Sequence, residues 1–317
     1  MKRFVFFILS LAACGCLLAA YNPFVDGARA DVRVKVVDEL GEPVPNALVS
    51  VVFLTDVQKV NVSKGMTDSD GYYKATGDCI GEIRLWVRKD GYYDTKCRPR
   101  DFRTQSQEEV VRTRRWSADA VEMRSVLKKK RNPVKTSVHV FEFKPYPATN
   151  EVLRLDLELM AWCPPYGNGR RDDLHIVYDG WRNPEEWFDF HEHLTLAFPN
   201  CVDGFYKARI DSASDFPYAH VAETNHVYAK ELEFRHTRKV KGVVESVCLS
   251  PDEYLIYRVR TQTNELGQVT HAHYGRIGGK VSQHIGLSMK NWFNPTDNDT
   301  NLESEDLSRT QGRSSRR

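Results

Sequence analysis

Short alternating runs between residues 31 and 93 limit what this chain can fold into. Val32, Val34 and Val36 alternate with Arg33 and Lys35, the period of a strand with one buried face. Residues 38–43 interrupt the run: Gly41 admits a positive φ, while Pro43 and Pro45 lack the N–H that a ladder needs. Ala47, Val49, Val51 and Phe53 resume the alternation, residues 67–71 turn the chain, and Tyr72 and Tyr73 open another strand. Ile83, Leu85 and Val87 then alternate with Arg84, Trp86 and Arg88 ahead of an Asp90-Gly91 turn. Short strands separated by Gly, Pro and Asp turns predict an antiparallel sandwich.

Three of these segments also carry a family resemblance. V-D-E-L-G-E-P-V-P-N-A-L-V (37–49), T-D-S-D-G-Y-Y (67–73) and V-R-K-D-G-Y-Y (87–93) stand in that order. Residues 31–130 thereby resemble the carboxypeptidase regulatory-like, transthyretin-like domain. The resemblance implies a seven-stranded, Ig-like, non-catalytic sandwich, of a kind that accompanies secreted enzymes, adhesins and receptors. Its fold is shared with carbohydrate-binding modules, but sugar binding does not transfer with a fold. Asp68-x-Asp70-Gly71 also looks like the start of a calcium loop. The twelfth position is Cys79 rather than glutamate, which favours a plain turn.

The amino terminus reads as an export signal. Lys2 and Arg3 precede an apolar run over residues 4–20. Residues 11–15, L-A-A-C-G, resemble a bacterial lipobox, in which Cys14 would carry the lipid. Ala28-Arg29-Ala30 offers an ordinary cleavage site instead, so lipid anchoring and free secretion both remain open. Either route places the protein outside the cytoplasm, in the periplasm, on the outer membrane or beyond. Without residues 1–30 the chain holds 42 basic and 42 acidic residues. That balance gives no field to steer a nucleic acid. Of seven cysteines, Cys14 and Cys16 fall in the export segment. Cys79 and Cys97 flank one strand-turn unit and are the expected disulfide in an oxidising compartment. The pairing of Cys163, Cys201 and Cys248 does not follow from sequence.

Residues 98–118 are polar and basic and read as a long loop. Residues 120–127 read as the last strand of the sandwich, and Lys128 to Arg131 as its solvated basic end. A second β-rich domain is expected over residues 132–303. Its strand signals lie at 138–143, 151–159, 174–178, 194–198, 254–263 and 269–277, the last two joined by Asn264-Glu265-Leu266-Gly267. Residues 129–133, 161–169, 257–261, 274–277 and 293–303 resemble a region that follows regulatory-like domains in secreted bacterial proteins. That resemblance supplies no activity. No amphipathic helix stands out, and the basic tail 304–317 is expected to be disordered. The predicted fold class is therefore all-β: two β-rich domains after a cleaved signal.

No G-x-S-x-G, H-E-x-x-H, P-loop or G-x-G-x-x-G sequence occurs. His191-x-His193 and His271-x-His273 each put two imidazoles on one strand face; were the two strands neighbours, four histidines would meet. Exposed strand faces carry histidines for no special reason, and neither a metal nor a cofactor is expected. Asp172-Asp173 and Glu185-Glu186 point opposite ways on a strand and suit turns or caps better than paired acid–base work. Aromatic residues gather in 162–190, among Pro, Gly and Asn. Trp162, Tyr166, Trp181 and Trp187 are the expected ligand contacts, by stacking. The sequence thus predicts a secreted or lipid-anchored bacterial envelope protein with a non-catalytic binding or structural role. Its partner would be a polysaccharide or another envelope protein. The alternatives are a carbohydrate-binding accessory protein, and a hydrolase or metal-binding protein without a recognisable motif.

Overall fold

The computed structural model describes residues 21–55, 59–97, 107–116, 121–186, 188–239, 242, 244–282 and 286–305. The export segment with Cys14, Trp187 and residues 306–317 of the tail lie outside them. The regular structure of the described chain is almost wholly strand, as the alternation predicts. It divides into two compact units, one formed by residues up to Lys130 with Ser212–Asp215, the other by residues 131–211 and 216 onward.

The first unit holds β1 (Ala28–Val37), β2 (Leu48–Leu54), β3 (Val60–Met66), β4 (Tyr72–Cys79), β5 (Ile83–Arg88), β6 (Thr95–Cys97) and β7 (Val121–Val126). They make two sheets, ordered β4-β1-β7 and β3-β2-β5-β6. The core forms where the alternating residues meet: Val32, Val34 and Val36 of β1 with Val49, Val51 and Phe53 of β2 and Ile83, Leu85 and Val87 of β5. At the turn before β4, Asp68 Oδ1 accepts from Asp70 N (3.0 Å) and Tyr72 N (2.7 Å), and Gly71 takes φ +74°. Asp68 is therefore committed to backbone amides.

Three features depart from the sequence reading. β7 pairs with β1 in parallel, Val34 opposite Met123, so the sandwich is not purely antiparallel. The stretch read as loop contains a short helix, α2 (Gln107–Thr113), after the single-turn α1 (Pro23–Asp26); Val110 of α2 is buried in the core. Lys128, read as solvated, is 1% exposed. Ser212–Asp215 joins this unit through a bridge from Ser214 to Thr95 and a 2.7 Å hydrogen bond from Asp215 N to Asp94 O.

The expected Cys79–Cys97 disulfide is corrected by the structure: Cys79 is a free, buried thiol. Cys79 ends β4 opposite Ala28, whereas Cys97 lies in β6 opposite Leu85, in the other sheet. Eighteen residues of chain spacing looked like one hairpin, but the chain changes sheets between them. Burial pushes the Cys79 thiol up to about 11, against a backbone hydrogen bond involving Gly81. Alkylation of the native protein near pH 8 is expected to label the exposed Cys201 and Cys248. Cys79 should react at least ~10-fold more slowly until the protein is unfolded. Peptide mapping reads this, and rapid native labelling of Cys79 would contradict it.

The second unit holds β8 (Ser137–Lys144), β9 (Leu153–Asp156), β10 (Ala161–Trp162), β11 (Leu174–Arg182), β12 (Phe190–Ala197), β13 (Gly204–Arg209), β14 (Glu231–Arg238), β15 (Val244–Val247), β16 (Glu253–Thr263), β17 (Val269–Ser282) and β18 (Leu287–Phe293). A six-stranded sheet runs β10-β9-β11-β12-β14-β15, and a five-stranded sheet runs β13-β16-β17-β18-β8. Leu153, Leu155, Ile176, Leu194, Leu196 and Phe234 of the first sheet pack with Leu255, Tyr257, Val259, Ile277 and Met289 of the second. On the other face of the five-stranded sheet, Tyr254, Ile256, Ala272 and Tyr274 pack with Tyr206, Ala222 and Leu302. Gly275 makes room within β17, since a Cβ there would run into Tyr257 Oη. The stretch 151–159, read as one long strand, is a strand only to Asp156 and then turns. The turn leaves Leu159 38% exposed while Leu153, Leu155 and Leu157 are buried.

The second unit closes on itself through Glu303. Its buried carboxylate accepts from Arg131 N (3.1 Å) and Asn132 N (2.7 Å) and pairs with His220 Nδ1 at 2.8 Å. Ser304, assigned to the tail by sequence, is buried and hydrogen-bonds Thr136 at 2.7 Å. Burial raises the Glu303 pKa, but the hydrogen bonds from His220, Asn132 and Arg131 outweigh it and hold the carboxyl at about 2. The unfolded carboxyl titrates near ~4.3. The stabilisation is therefore complete above about that pH and is lost as pH falls toward the folded value. Glu303→Gln is expected to cost roughly 1–3 kcal/mol at neutral pH. It should also flatten the stability profile between about pH 4 and 2. Denaturant titrations across that range read both effects, and an unchanged profile would contradict the assignment.

Candidate metal centre

The polar groups of the second unit concentrate where its core ends. Along β17, Ile277 and Gly275 face the six-stranded sheet, and the next residues of the same parity are His273 and His271. Opposite them β16 bulges: Val259 pairs with His273 and Gln262 with His271, leaving one extra residue on β16. Within the bulge Arg260 sits at φ +58°, a left-handed conformation that a non-glycine residue seldom adopts.

Surrounding groups hold Arg260 there. Asp203 Oδ2 accepts from Arg260 N at 3.0 Å and Oδ1 from Thr261 N at 2.9 Å. The guanidinium donates twice to Asp173 (Nε and Nη2, both 2.9 Å) and once to Glu158 (2.7 Å), with Asp156 at 3.7 Å. It also lies 4.8 Å from the Phe293 ring centre. Asp156 binds backbone as well, accepting from Glu158 N, Leu159 N, Arg170 N and Arg171 N. Asp173 takes Leu157 N at 3.0 Å. The Asp172-Asp173 pair, which stands just before β11, is thus split. Asp172 pairs with His175 at 3.1 Å and Asp173 with Arg260.

Beside this network lie His271, His273 and Asp297. One ligand atom from each falls within 4.8 Å of the others. His271 Nδ1 is 2.6 Å from Asp297 Oδ2, and Asp297 Oδ1 accepts from Ala272 N at 3.3 Å. The loop carrying Asp297 is laced to β17: Asn294 N donates to Tyr274 O, Asn298 N to Ala272 O, and Asn298 Nδ2 to Thr270 O. The His271 and His273 rings meet edge to face at 5.3 Å, and His273 stacks on Phe293 at 5.4 Å. Burial lowers the His273 pKa and the Arg260 cation lowers it further, while a hydrogen bond with the Asn294 backbone opposes the fall. His273 Nδ1 is closed to solvent.

The other His-x-His pair is placed differently. His191 and His193 lie on β12, in the six-stranded sheet, so the four histidines do not share neighbouring strands. His191 Nδ1 bonds Thr237 Oγ1 at 2.8 Å, and His193 lies 3.6 Å from Glu233. Between them Glu192 is buried near Arg182 (3.6 Å); burial raises its pKa and Arg182 opposes the rise.

The expected aromatic platform is dispersed. Trp162 packs against the core, 6.1 Å from Phe141. Tyr166 is 41% exposed and hydrogen-bonds Glu151 at 3.0 Å. Trp181 is 53% exposed on β11, in a cross-strand row with His191 and Thr237. Trp162 is therefore a packing residue, and Tyr166 and Trp181 are the surface aromatics among the described members of the set. The sequence reading noted the spacing of His271 and His273 but could not find Asp297, which the fold brings in from beyond β18. Its one local signal was the turn composition of residues 294–299.

No family model matches the chain, and no curated protein matches it. Among solved structures it is similar to 3-chlorocatechol 1,2-dioxygenase from Rhodococcus opacus over 33% of this chain and 61% of that one, at 14% identity and TM-score 0.24. Hydroxyquinol 1,2-dioxygenase from Pseudomonas putida aligns over 33% and 58%, at 14% identity and TM-score 0.23. A streptococcal ancillary pilin aligns over 82% and 62%, at 12% identity and TM-score 0.22. The aligned part spans less than two thirds of each of these proteins. Likenesses of this size carry no statement about activity.

Arg260→Ala is expected to destabilise the second unit by about 3–5 kcal/mol, because Asp173 and Asp156 would stay buried without their cation. Arg260→Gly keeps the backbone conformation and loses the same ion pairs. A matching loss in both variants, read by denaturant melts, would place the cost in the charge rather than in φ. A loss confined to Arg260→Ala would place it in the backbone.

Proposed function

We propose that this chain is an extracytoplasmic protein with a non-catalytic binding or structural role in a bacterial cell envelope. The observation that carries the reading is the division of its polar and aromatic residues. Four of the carboxylates buried in the second unit are engaged with structure: Asp156, Asp173, Asp203 and Glu303 each accept from backbone amides. Trp181, by contrast, stands open on a sheet face among hydrogen-bonding side chains. An exposed indole beside His191 and Asp179 suits stacking on a sugar ring. The Lys-Arg start and apolar run support export, with Cys14 the lipid-bearing residue if the lipobox is used. The resemblance of residues 31–130 to a regulatory-like domain belongs to the same reading.

A second reading is favoured by β15. Its four residues are all exposed, with Val244 at 55% and Val247 at 47%. Among the described strands it pairs only with β14. An exposed edge that carries two valines can accept a strand from another envelope protein.

Retention of the purified chain on insoluble polysaccharides separates the two. The sugar reading expects Trp181→Ala to weaken retention about fivefold, equivalent to losing ~1 kcal/mol of stacking, with the melt unchanged. Retention indifferent to Trp181→Ala would sink the sugar reading. Pull-down lost on Val244→Lys would then support the edge. Turnover of a polysaccharide or peptide bond by the purified chain would overturn the non-catalytic role.

A further inference from the structure

We propose that His271, His273 and Asp297 bind one divalent transition-metal ion of the zinc class. The sequence pattern supplies two of the donors and the fold supplies the third. Their ligand atoms already lie within 4.8 Å of one another. A tetrahedral zinc site with bonds near 2.0 Å wants donors roughly 3.3 Å apart. The His271–Asp297 pair, at 2.6 Å, would open slightly and the wider separations would close, shifts of about an ångström or two that the partly exposed Asp297 side chain has room to make. Two imidazoles and one carboxylate suit zinc, copper, nickel or iron(II) better than calcium or magnesium, which take oxygen donors.

Three further observations separate this cluster from an ordinary surface ion pair. The carboxylate is aimed: Oδ1 is held by Ala272 N while Oδ2 faces His271. Such outer hydrogen bonds orient metal ligands. The loop bearing it is fixed to β17 by Asn294 and Asn298, so the donor set is preorganised. The third is His273, whose ring stands edge to face against His271 at 5.3 Å, so that a second imidazole is brought beside the His271–Asp297 pair. The β-bulge opposite, with Arg260 in its rare backbone conformation, sets where both histidines project, and bulges and strained residues gather at functional sites. Three protein donors leave a fourth position for water or for a donor from a bound partner.

The test uses the exported chain without a histidine tag, stripped with chelator, with Cys201 and Cys248 alkylated so that thiols contribute nothing. Zinc is titrated against a chromophoric chelator, and bound metal is counted by mass spectrometry. The proposal expects one zinc per chain, and at least ~10-fold weaker binding in Asp297→Asn and in His273→Gln. Zinc should raise the melting temperature of the wild type but not of Asp297→Asn. His191→Ala, at the pair bonded to Thr237 and Glu233, should bind as the wild type does. Because Asp297 is exposed, its variant tests the site even if His273→Gln fails to fold. No stoichiometric zinc, or zinc held equally well by Asp297→Asn, would overturn the proposal. Polysaccharide retention is not among these readouts, so this result stands or falls apart from the sugar reading.

Discussion

The second unit depends on one largely buried cation. Arg260 reaches from the five-stranded sheet to Asp173 and Glu158 on the six-stranded side, and those carboxylates in turn hold the turns at 156–160 and 170–173. The guanidinium is close to dry, so its attraction to three carboxylates is weakly screened, and losing it would strand charge inside the fold. A second polar tie runs beside it: Tyr257 Oη donates to Asn291 Oδ1, and Asn291 Nδ2 donates to Leu157 O. Apolar packing alone is non-directional. These two ties give the sandwich its register at the end where the leucines stop.

The same constraint shapes the surface chemistry. To bring its side chain to Asp173, Arg260 occupies a left-handed backbone position in a bulge, and the bulge decides which residues of β17 oppose β16 there. His271 and His273 emerge on that stretch, next to a loop whose asparagines continue the ladder past β18. The imidazoles and Asp297 thus stand on a stiff frame rather than on a free loop. Glu303 plays the matching role elsewhere in the unit, drawing residues 131–132 to residue 303 through charge-assisted hydrogen bonds.

Strands were most legible where one face is buried and the other wet. β1 and β5 alternate in sequence as they do in burial. The reading failed where burial is not one-sided. β3 has almost no buried residue and left no signal. α2 has too few residues to show a helical period, and its anchor is the single buried Val110. Lys128 carries a charge that composition places in water, yet the strand it follows takes it inside. Cys79 and Cys97 looked like one hairpin because spacing along the chain does not say when a chain crosses to another sheet.

By itself the sequence determined the class of fold and its turns, because strand periodicity and Gly, Pro and Asp punctuation are local properties of a chain. It also determined that His271 and His273 share a face, since alternate strand residues must. Only the tertiary structure decided that Asp297 joins them, that Arg260 binds carboxylates roughly 90–100 residues earlier in the chain, that Trp162 is packed while Trp181 is open, and that Cys79 stays a thiol. Each of these depends on which strands become neighbours and in what register. Many long-range contacts settle that choice together, and no short window of sequence contains it.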